Sequence, residues 1–166
     1  MAIAGKRLMP CLWFDTQAEE AAKFYCSIFK NSKIGTISRY PEAGQEIHHK
    51  PAGSVMVVSF VLDGQPLTAL NGGPNFKFDE AVSFQIMCDS QDEIDFYWNA
   101  LTKGGQEGPC GWLKDKFGLS WQVGPSAIPK MMSDPDSKKS ARVMNAFMTM
   151  KKLDLAALER AYAGQS

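Results

Sequence analysis

The side chains best suited to chemistry in this sequence are two histidines, His48 and His49, which follow Glu46 in one short segment. An imidazole can exchange a proton near neutral pH and can bind a metal ion. The segment is therefore a candidate for general acid or base catalysis, or for metal binding. Neighbouring proline and glycine residues predict a loop, and two solvent-facing imidazoles before a strand are the plainer interpretation. All three interpretations stay open at this stage.

Four cysteines, Cys11, Cys26, Cys88 and Cys110, are the possible sources of thiolate chemistry. No two of them form a C-x-x-C pair, which disfavours a zinc site or a thioredoxin-type redox site. The first three lie in apolar strand or helix patterns, so buried and unreactive thiols are predicted. Cys110 lies beside Gly111 in a glycine-rich segment, and it is the cysteine whose reactivity we would test.

The composition of the chain excludes several classes of protein. Its 166 residues include 18 Lys and Arg against 18 Asp and Glu, so no concentrated positive surface for nucleic acid is expected. The longest uncharged apolar run, around Val55 to Leu62, is too short to span a membrane. Met1 to Arg7 does not lead into the apolar stretch of a signal peptide. We therefore expect a cytoplasmic protein with neither nucleic acid nor membrane as a partner.

The elements that position these residues come in two copies. Asp15 to Glu19 recur as Asp89 to Glu93. Apolar strand patterns precede the two copies, at Leu8 to Phe14 and at Val82 to Cys88, and each copy leads into an apolar helical pattern that contains a Phe-Tyr pair. We interpret this agreement over strand, turn and helix as an internal duplication.

Both predicted helices begin with the same capping signal. Thr16 and Ser90 are good N-cap residues, and Glu19 and Glu93 stand three residues later, so two capping boxes are predicted. Strand patterns follow each helix at Lys33 to Tyr40, Ser54 to Leu62, Pro66 to Leu70, Gly108 to Lys114 and Leu119 to Val123, with Asp63-Gly64 as a hairpin turn. Asp115 is expected to cap the last turn. The predicted fold class is α+β, with two βαβββ-type modules at about residues 7–74 and 81–125.

The tail, at about residues 126–164, is predicted to be a helical extension. Asp134 or Asp136 can cap a helix whose apolar stripe is Ala141, Met144, Phe147 and Met148. Asp154 can cap a second helix that ends at Gly164. The methionine-rich character of the tail indicates packing, against the sheet or against a second subunit, rather than a cofactor site.

Three segments of the chain resemble a known family. Residues 111–122 (GWLKDKFGLSWQ), 67–74 and 150–154 resemble the PhnB-like branch, often labelled 3-demethylubiquinone-9 3-methyltransferase-like, of the glyoxalase/bleomycin resistance/dioxygenase superfamily, also called vicinal oxygen chelate. The resemblance covers about residues 7–164. It implies a single domain over residues 1–166, whose modules form a curved mixed sheet with a half-barrel cleft, and a homodimer. Methyl transfer is not expected, because the sequence has no glycine-rich loop between a strand and a helix.

In metal-using members of this superfamily, each module gives one metal ligand from its first strand and one from its last. By resemblance, these positions fall at Pro10, near Ser83, at residues 69–71 and at Gln122. Proline and serine are poor ligands, and the amides of Asn71 and Gln122 bring no charge to compensate a cation. The resemblance therefore predicts neither metal nor other cofactor, with a divalent metal as the alternative.

Strand alternation from those positions predicts which side chains line the cleft. The predicted ligand-binding residues are Leu12, Phe14, Asn71, Ser83, Gln85, Met87, Ser120 and Gln122. Apolar walls with a few amides and hydroxyls are typical of a small-molecule pocket, although such amides can also do no more than tie strands together. No catalytic residue is predicted.

Three functions follow from these patterns and stay open. The first is metal-independent binding of a small, partly aromatic or amphiphilic molecule. The second is an enzyme of glyoxalase, isomerase or dioxygenase type with a degenerate metal site. The third is a module for dimerisation or protein interaction, to which the C-terminal helices would contribute.

Overall fold

The computed structural model of this chain describes residues 7–165. They divide into two compact units, one that runs through Lys77 and one that starts at Phe78. None of the helices in this range combines the length and the apolar character needed to cross a bilayer.

The first unit is a four-stranded mixed sheet with one long helix. Its elements are β1 (Cys11–Phe14), α1 (Ala18–Ile28), β2 (Lys33–Arg39), the short α2 (Gln45–His48), β3 (Val55–Leu62) and β4 (Gln65–Asn71). The strand order is β1-β4-β3-β2; β1 runs parallel to β4 and the other pairs are antiparallel. The predicted turn at Asp63-Gly64 has φ angles of 46° and 74°, as a tight hairpin requires.

The second unit repeats this topology and adds the helical tail. Its elements are β5 (Phe84–Cys88), α3 (Gln91–Thr102), β6 (Gln106–Glu107), β7 (Trp112–Lys114), β8 (Ser120–Pro125), α4 (Ile128–Met132), α5 (Ser137–Phe147) and α6 (Leu155–Ala163). The strand order is β5-β8-β7-β6, again with the first and last strands parallel. The α+β class with two βαβββ modules is thus confirmed, and neither sheet closes into a barrel among the described residues.

The core of the first unit lies between α1 and one face of its sheet. The rings of Tyr25 and Phe60 stack with their centroids 6.5 Å apart, so Phe60 faces the helix. Strand alternation places Val58 on the same face, and the strand register adds Ala69 and Leu12. All of these side chains are buried, and their removal from water holds α1 on the sheet.

The start of α1 differs from the prediction. The N-cap residue is Gln17, which makes no side-chain cap, and Glu19 pairs with a lysine one turn later instead of reaching back to the cap. The N–H of Ala18 donates to Asn71 Oδ1 at 2.8 Å. The predicted Thr16–Glu19 capping box is therefore wrong, because an acceptor from a distant strand meets the helix terminus first.

The start of α3 follows the prediction at its N-cap. Ser90 is the N-cap residue, and its Oγ accepts from the N–H of Glu93 at 3.3 Å. The Glu93 carboxylate accepts from the N–H of Asp89 at 2.8 Å, one residue before the predicted donor, which was the N–H of the cap residue Ser90. One face of the second sheet packs on this helix, and the buried residues of that core include Ile86, Leu113, Trp121 and Val123 from strands and Ile94, Trp98 and Leu101 from α3.

The tail forms a small core of its own. Asp136 and Asp154 are the N-cap residues of α5 and α6, and α6 ends at Gly164 with a φ of 77°, as predicted. Of the apolar stripe predicted for α5, Phe147 packs against this core, whereas the prediction is wrong for Ala141, Met144 and Met148, which are exposed. The buried face is set by contact with the rest of the tail, and its core residues are Met131, Val143, Leu153 and Leu158.

Candidate functional site

The face of the second sheet that is turned away from α3 carries the polar side chains of its central strands. Alternation sends Ile86 and Val123 into the core, so their neighbours in β5 and β8 point to the opposite face. The structure thus brings together Ser83, Gln85, Met87, Ser120 and Gln122 on what we call the amide face. Their role in ligand binding stays a prediction.

Two glutamines lie side by side at the centre of the amide face. Gln85 and Gln122 are register partners across the parallel pair β5–β8. Gln122 Nε2 donates to Ser83 Oγ at 2.8 Å, which fixes its carboxamide. Gln85 Nε2 is 3.5 Å from Gln122 Oε1, which is the outer limit of a hydrogen bond. Gln122 is therefore held by the protein, whereas Gln85 is only weakly held.

A cavity of about 130 Å³, which we call the amide pocket, opens beside this pair. The strands contribute Gln85, Met87 and Gln122, and the tail contributes Phe147 and Leu153. No side chain that lines it carries a charge. This combination of apolar walls and carboxamides is typical of sites for uncharged organic molecules.

A larger cavity of about 390 Å³, which we call the edge pocket, lies toward β6 and β7. Its lining includes Trp112, the register partner of Gln122, together with Lys114, Glu80 and Ser120. Lys114 and Glu80 form an ion pair at 2.7 Å, and the hydrogen bond from Lys114 lowers the pKa of the Glu80 carboxyl. Ser120 is buried, and its Oγ donates to the carbonyl of Asp79 at 3.1 Å. Glu107 also lines the pocket and lies 3.8 Å from Lys151. The charged side chains of this pocket thus have partners of opposite charge within the protein.

The predicted ligand residues of the first unit lie on the face of their sheet that packs against α1. Leu12 and Phe14 are buried on the face that meets α1. Asn71 is 7% exposed, and its Nδ2 donates to the carbonyl of Val55 at 3.0 Å while its Oδ1 accepts from Ala18. Both ends of this amide therefore bind the backbone of the first unit. A ligand role for these side chains stays a prediction.

The histidine segment forms the short helix α2. His48 Nδ1 accepts from the N–H of Lys50 at 3.0 Å, and its ring lies 4.7 Å from that of Tyr40. Its Nε2 is buried without a hydrogen-bond partner among the described residues. His49 is exposed in a left-handed conformation with a φ of 52°. Catalytic and metal-binding roles for this segment stay untested.

The residues that would hold a divalent metal in this fold do not suit one. Between residues 7 and 165, no group of three or more His, Cys, Asp or Glu side chains is placed to bind an ion. The amides of Asn71 and Gln122 are already hydrogen-bonded, and Ser83 accepts from Gln122. Neutral donors with existing partners give a cation little binding energy.

The four cysteines differ in their exposure to solvent. Cys88 is buried, Cys26 and Cys110 are half-buried, and Cys11 is exposed. The predicted burial of Cys11 is wrong, because it lies on the open face of the edge strand β1. Cys110 Sγ is 3.8 Å from Met148 Sδ. Burial, aided by the carboxylates of Glu93 and Asp89, raises the pKa of Cys88 to about 11.

We expect iodoacetamide at pH 8 to alkylate Cys11 at least about tenfold faster than Cys88. The thiolate is the nucleophile, and a thiol with a pKa of about 11 is ionised in only about one molecule in a thousand at pH 8. Timed alkylation followed by peptide mass spectrometry measures both rates. In urea the two cysteines should react at similar rates, and equal rates in the folded protein would contradict the burial of Cys88.

Several residues that line the two pockets were not predicted from the sequence. Trp112 could have been found, because the predicted turn pairs its strand with that of Gln122. Ile128, Phe147 and Leu153 lie in the tail, and no local pattern connects them with β5 and β8. The composition of the amide pocket thus became visible only in the folded chain.

A model of the family described as 3-demethylubiquinone-9 3-methyltransferase matches residues 6–124. Among solved structures, the PhnB protein from Bacillus cereus is 34% identical; the match covers 71% of this chain and 98% of that chain, with a TM-score of 0.61. No curated protein matches the sequence.

Two further solved structures share the fold at lower identity. Protein PA1353 from Pseudomonas aeruginosa is 20% identical over 73% of this chain and 98% of that chain, with a TM-score of 0.59. The fosfomycin resistance protein FosX from Listeria monocytogenes is 14% identical over 80% and 99%, with a TM-score of 0.51. These findings confirm the resemblance on which the fold was predicted.

Proposed function

We propose, from the premise that this chain belongs to the 3-demethylubiquinone-9 3-methyltransferase family, that it binds a small uncharged organic molecule in the amide pocket without a metal ion. The observation that carries the proposal is the lining of that pocket, which combines the carboxamides of Gln85 and Gln122 with apolar side chains and no charge. The binding of a small molecule, without regard to its identity, agrees with the glyoxalase/bleomycin resistance fold.

The geometry supports binding better than methyl transfer, despite the description of the family. A nucleotide-like methyl donor is usually held by a glycine-rich loop between a parallel strand and a helix. Here the turns that lead from a parallel strand into a helix are Asp15-Thr16-Gln17, Asp89-Ser90 and Ser126-Ala127, and none of them contains glycine. The amide pocket, at about 130 Å³, is also far smaller than such a donor requires.

An enzyme with a divalent metal is the second candidate, because the fold family contains metal users. The side chains at the metal positions disfavour this candidate, since the amides of Asn71 and Gln122 already form hydrogen bonds within the protein. Metal independence is nevertheless part of the proposal and is tested with it. The single domain over residues 1–166 and the homodimer also stay predictions.

Thermal unfolding in the presence of uncharged aromatic fragments tests the proposal. A fragment at ten times its Kd stabilises the folded state by about 1.4 kcal/mol, which raises Tm by about 3–5 °C in a protein of this size. We expect such shifts for the unaltered protein, and we expect them to be the same after dialysis against a chelator. Elemental analysis of the untagged protein measures its metal content directly.

Two tryptophan variants locate the binding site. Met87 is 51% exposed in the wall of the pocket, so Met87→Trp fills the cavity without disturbing the core. Val82 is 71% exposed outside the pocket, and Val82→Trp is the matched control. The fragment shift should vanish in Met87→Trp and persist in Val82→Trp. A shift that survives in both variants would place the ligand elsewhere, and a shift lost on chelation would favour the metal-dependent enzyme.

A further inference from the structure

The two glutamines of the amide pocket differ in what they still offer to a ligand. Gln122 already donates to Ser83 and accepts from Gln85. Gln85 is exposed, its Nε2 makes only the long contact of 3.5 Å, and its Oε1 accepts no hydrogen bond from the described residues. The Gln85 carboxamide therefore presents one donor and one acceptor, side by side, to whatever occupies the pocket.

The charge and polarity of the pocket restrict the chemistry of that occupant. A carboxylate or phosphate would lack a cation among the lining residues, and an ammonium group would lack an anion. A pure hydrocarbon would cover the Gln85 carboxamide and leave its donor and acceptor without water or any other partner. The remaining class is an uncharged molecule that itself offers an acceptor next to a donor.

The size of the pocket restricts the occupant further. Its volume is about 130 Å³, and a protein cavity of about 150 Å³ is known to accept benzene. One six-membered ring is therefore the largest rigid group that fits inside. The Phe147 ring and the Met87 thioether in the lining favour a flat, unsaturated ring over a branched chain.

We propose that the ligand of the amide pocket carries a cis amide, as in a lactam or cyclic imide ring, and that Gln85 recognises it through two parallel hydrogen bonds. In this pairing the ligand N–H donates to Gln85 Oε1, and the ligand carbonyl accepts from Gln85 Nε2. The weak contact between Gln85 and Gln122 is given up at little cost, because Gln122 keeps its bond to Ser83. This inference rests on the proposed function and specifies its ligand class.

Matched ring compounds test the ligand class. 2-Pyridone carries the cis amide, N-methyl-2-pyridone keeps the ring and the carbonyl but lacks the donor, and benzoate carries a charge. Their binding is measured by NMR of protein labelled at the methionine methyl groups, with the Met87 signal assigned through Met87→Leu. We expect 2-pyridone to shift the Met87 signal with a Kd about tenfold lower than that of N-methyl-2-pyridone, and benzoate to bind more weakly than both.

Two leucine variants connect that preference with one side chain. Gln85→Leu should make the Kd values of 2-pyridone and N-methyl-2-pyridone agree within about twofold. Gln106→Leu changes an exposed glutamine of the same sheet outside the amide pocket, and it should leave the tenfold preference intact.

The outcomes separate this inference from the proposed function. If the two pyridones bind the unaltered protein equally, the cis-amide class is wrong while binding of an uncharged molecule at the amide pocket stands. If benzoate binds best, the pocket favours a charged molecule, and the proposed function fails together with the cis-amide class. A preference that persists in Gln85→Leu would also overturn the role of Gln85. If no ring compound shifts the Met87 signal at any concentration, the proposed function itself fails.

Discussion

Replacement of Asp115 by alanine is expected to destabilise the second unit by at least about 3 kcal/mol. Asp115 is only 3% exposed, and its Oδ1 accepts from the N–H groups of Phe117 and Leu119 at 2.8 and 3.1 Å. Its Oδ2 accepts from the Trp121 indole N–H at 2.8 Å. The loss of an acceptor costs about 1–3 kcal/mol for each buried donor. The donors of Leu119 and Trp121 are buried and that of Phe117 is half-buried, so the three losses together give the expected value.

Urea unfolding followed by tryptophan fluorescence measures this effect. Asp136→Ala is the matched control, because Asp136 is an exposed N-cap residue whose loss costs about 1 kcal/mol. Asp115→Asn should fall between wild type and Asp115→Ala, since an amide can still accept from the turn but cannot accept at both of its ends. A free energy of unfolding for Asp115→Ala equal to that of the control would show that the buried carboxylate does not hold the turn.

The same substitution should also weaken ligand binding at the amide pocket. Asp115 ties the turn between β7 and β8 to Trp121, which points into the core on the side opposite Gln122. A loosened hairpin no longer fixes the position of the Gln122 carboxamide.

Asn71→Leu is expected to lower the stability of the first unit by about 2–4 kcal/mol. The leucine fits the shape of the site but offers neither the acceptor for the Ala18 N–H nor the donor for the Val55 carbonyl. The Ala18 N–H then lies buried without its partner, at a cost of about 1–3 kcal/mol, and the half-buried carbonyl of Val55 loses its donor as well. The N-terminus of α1 should lose the most stability, because Gln17 supplies no side-chain cap there.

A binding measurement on the same variant decides between two roles for Asn71. If it serves the helix and the strands, as its two hydrogen bonds indicate, the affinity for uncharged fragments at the amide pocket should stay unchanged at temperatures where the variant is folded. If it contacts the ligand, as the sequence predicted, that affinity should fall. Asn99→Leu, at an exposed position of α3, is the control and should change stability by no more than about 0.5 kcal/mol.

The helix starts show how far sequence patterns reach. Ser90 and Glu93 stand three residues apart, and Ser90 caps the helix as predicted, while the Glu93 carboxylate accepts from the N–H of Asp89. Thr16 and Glu19 have the same spacing, yet the Ala18 N–H is met by Asn71, 53 residues further along the chain. A capping box is a local preference of about 1 kcal/mol, so a well-placed distant acceptor can replace it.

The tail shows the same limit for a helical stripe. In α5, the spacing of Ala141, Met144 and Met148 is as helical as that of the buried Val143 and its neighbours. Periodicity shows that an amphipathic helix exists, but it cannot choose between two faces of similar apolar content. The buried face of α5 is the one that carries Val143, because Met131, Leu153 and Leu158 pack against that face.

The sequence by itself determined the doubled topology and the shared face of Gln85 and Gln122. Both follow from short-range regularities, because alternation along a strand with one buried face leaves each side chain only one side to occupy. Only the tertiary structure decided that Asn71 binds the start of α1 and that Phe147 and Leu153 help to line the amide pocket. Those contacts join residues far apart in the chain, and their free energy depends on how whole elements pack, which no local pattern records.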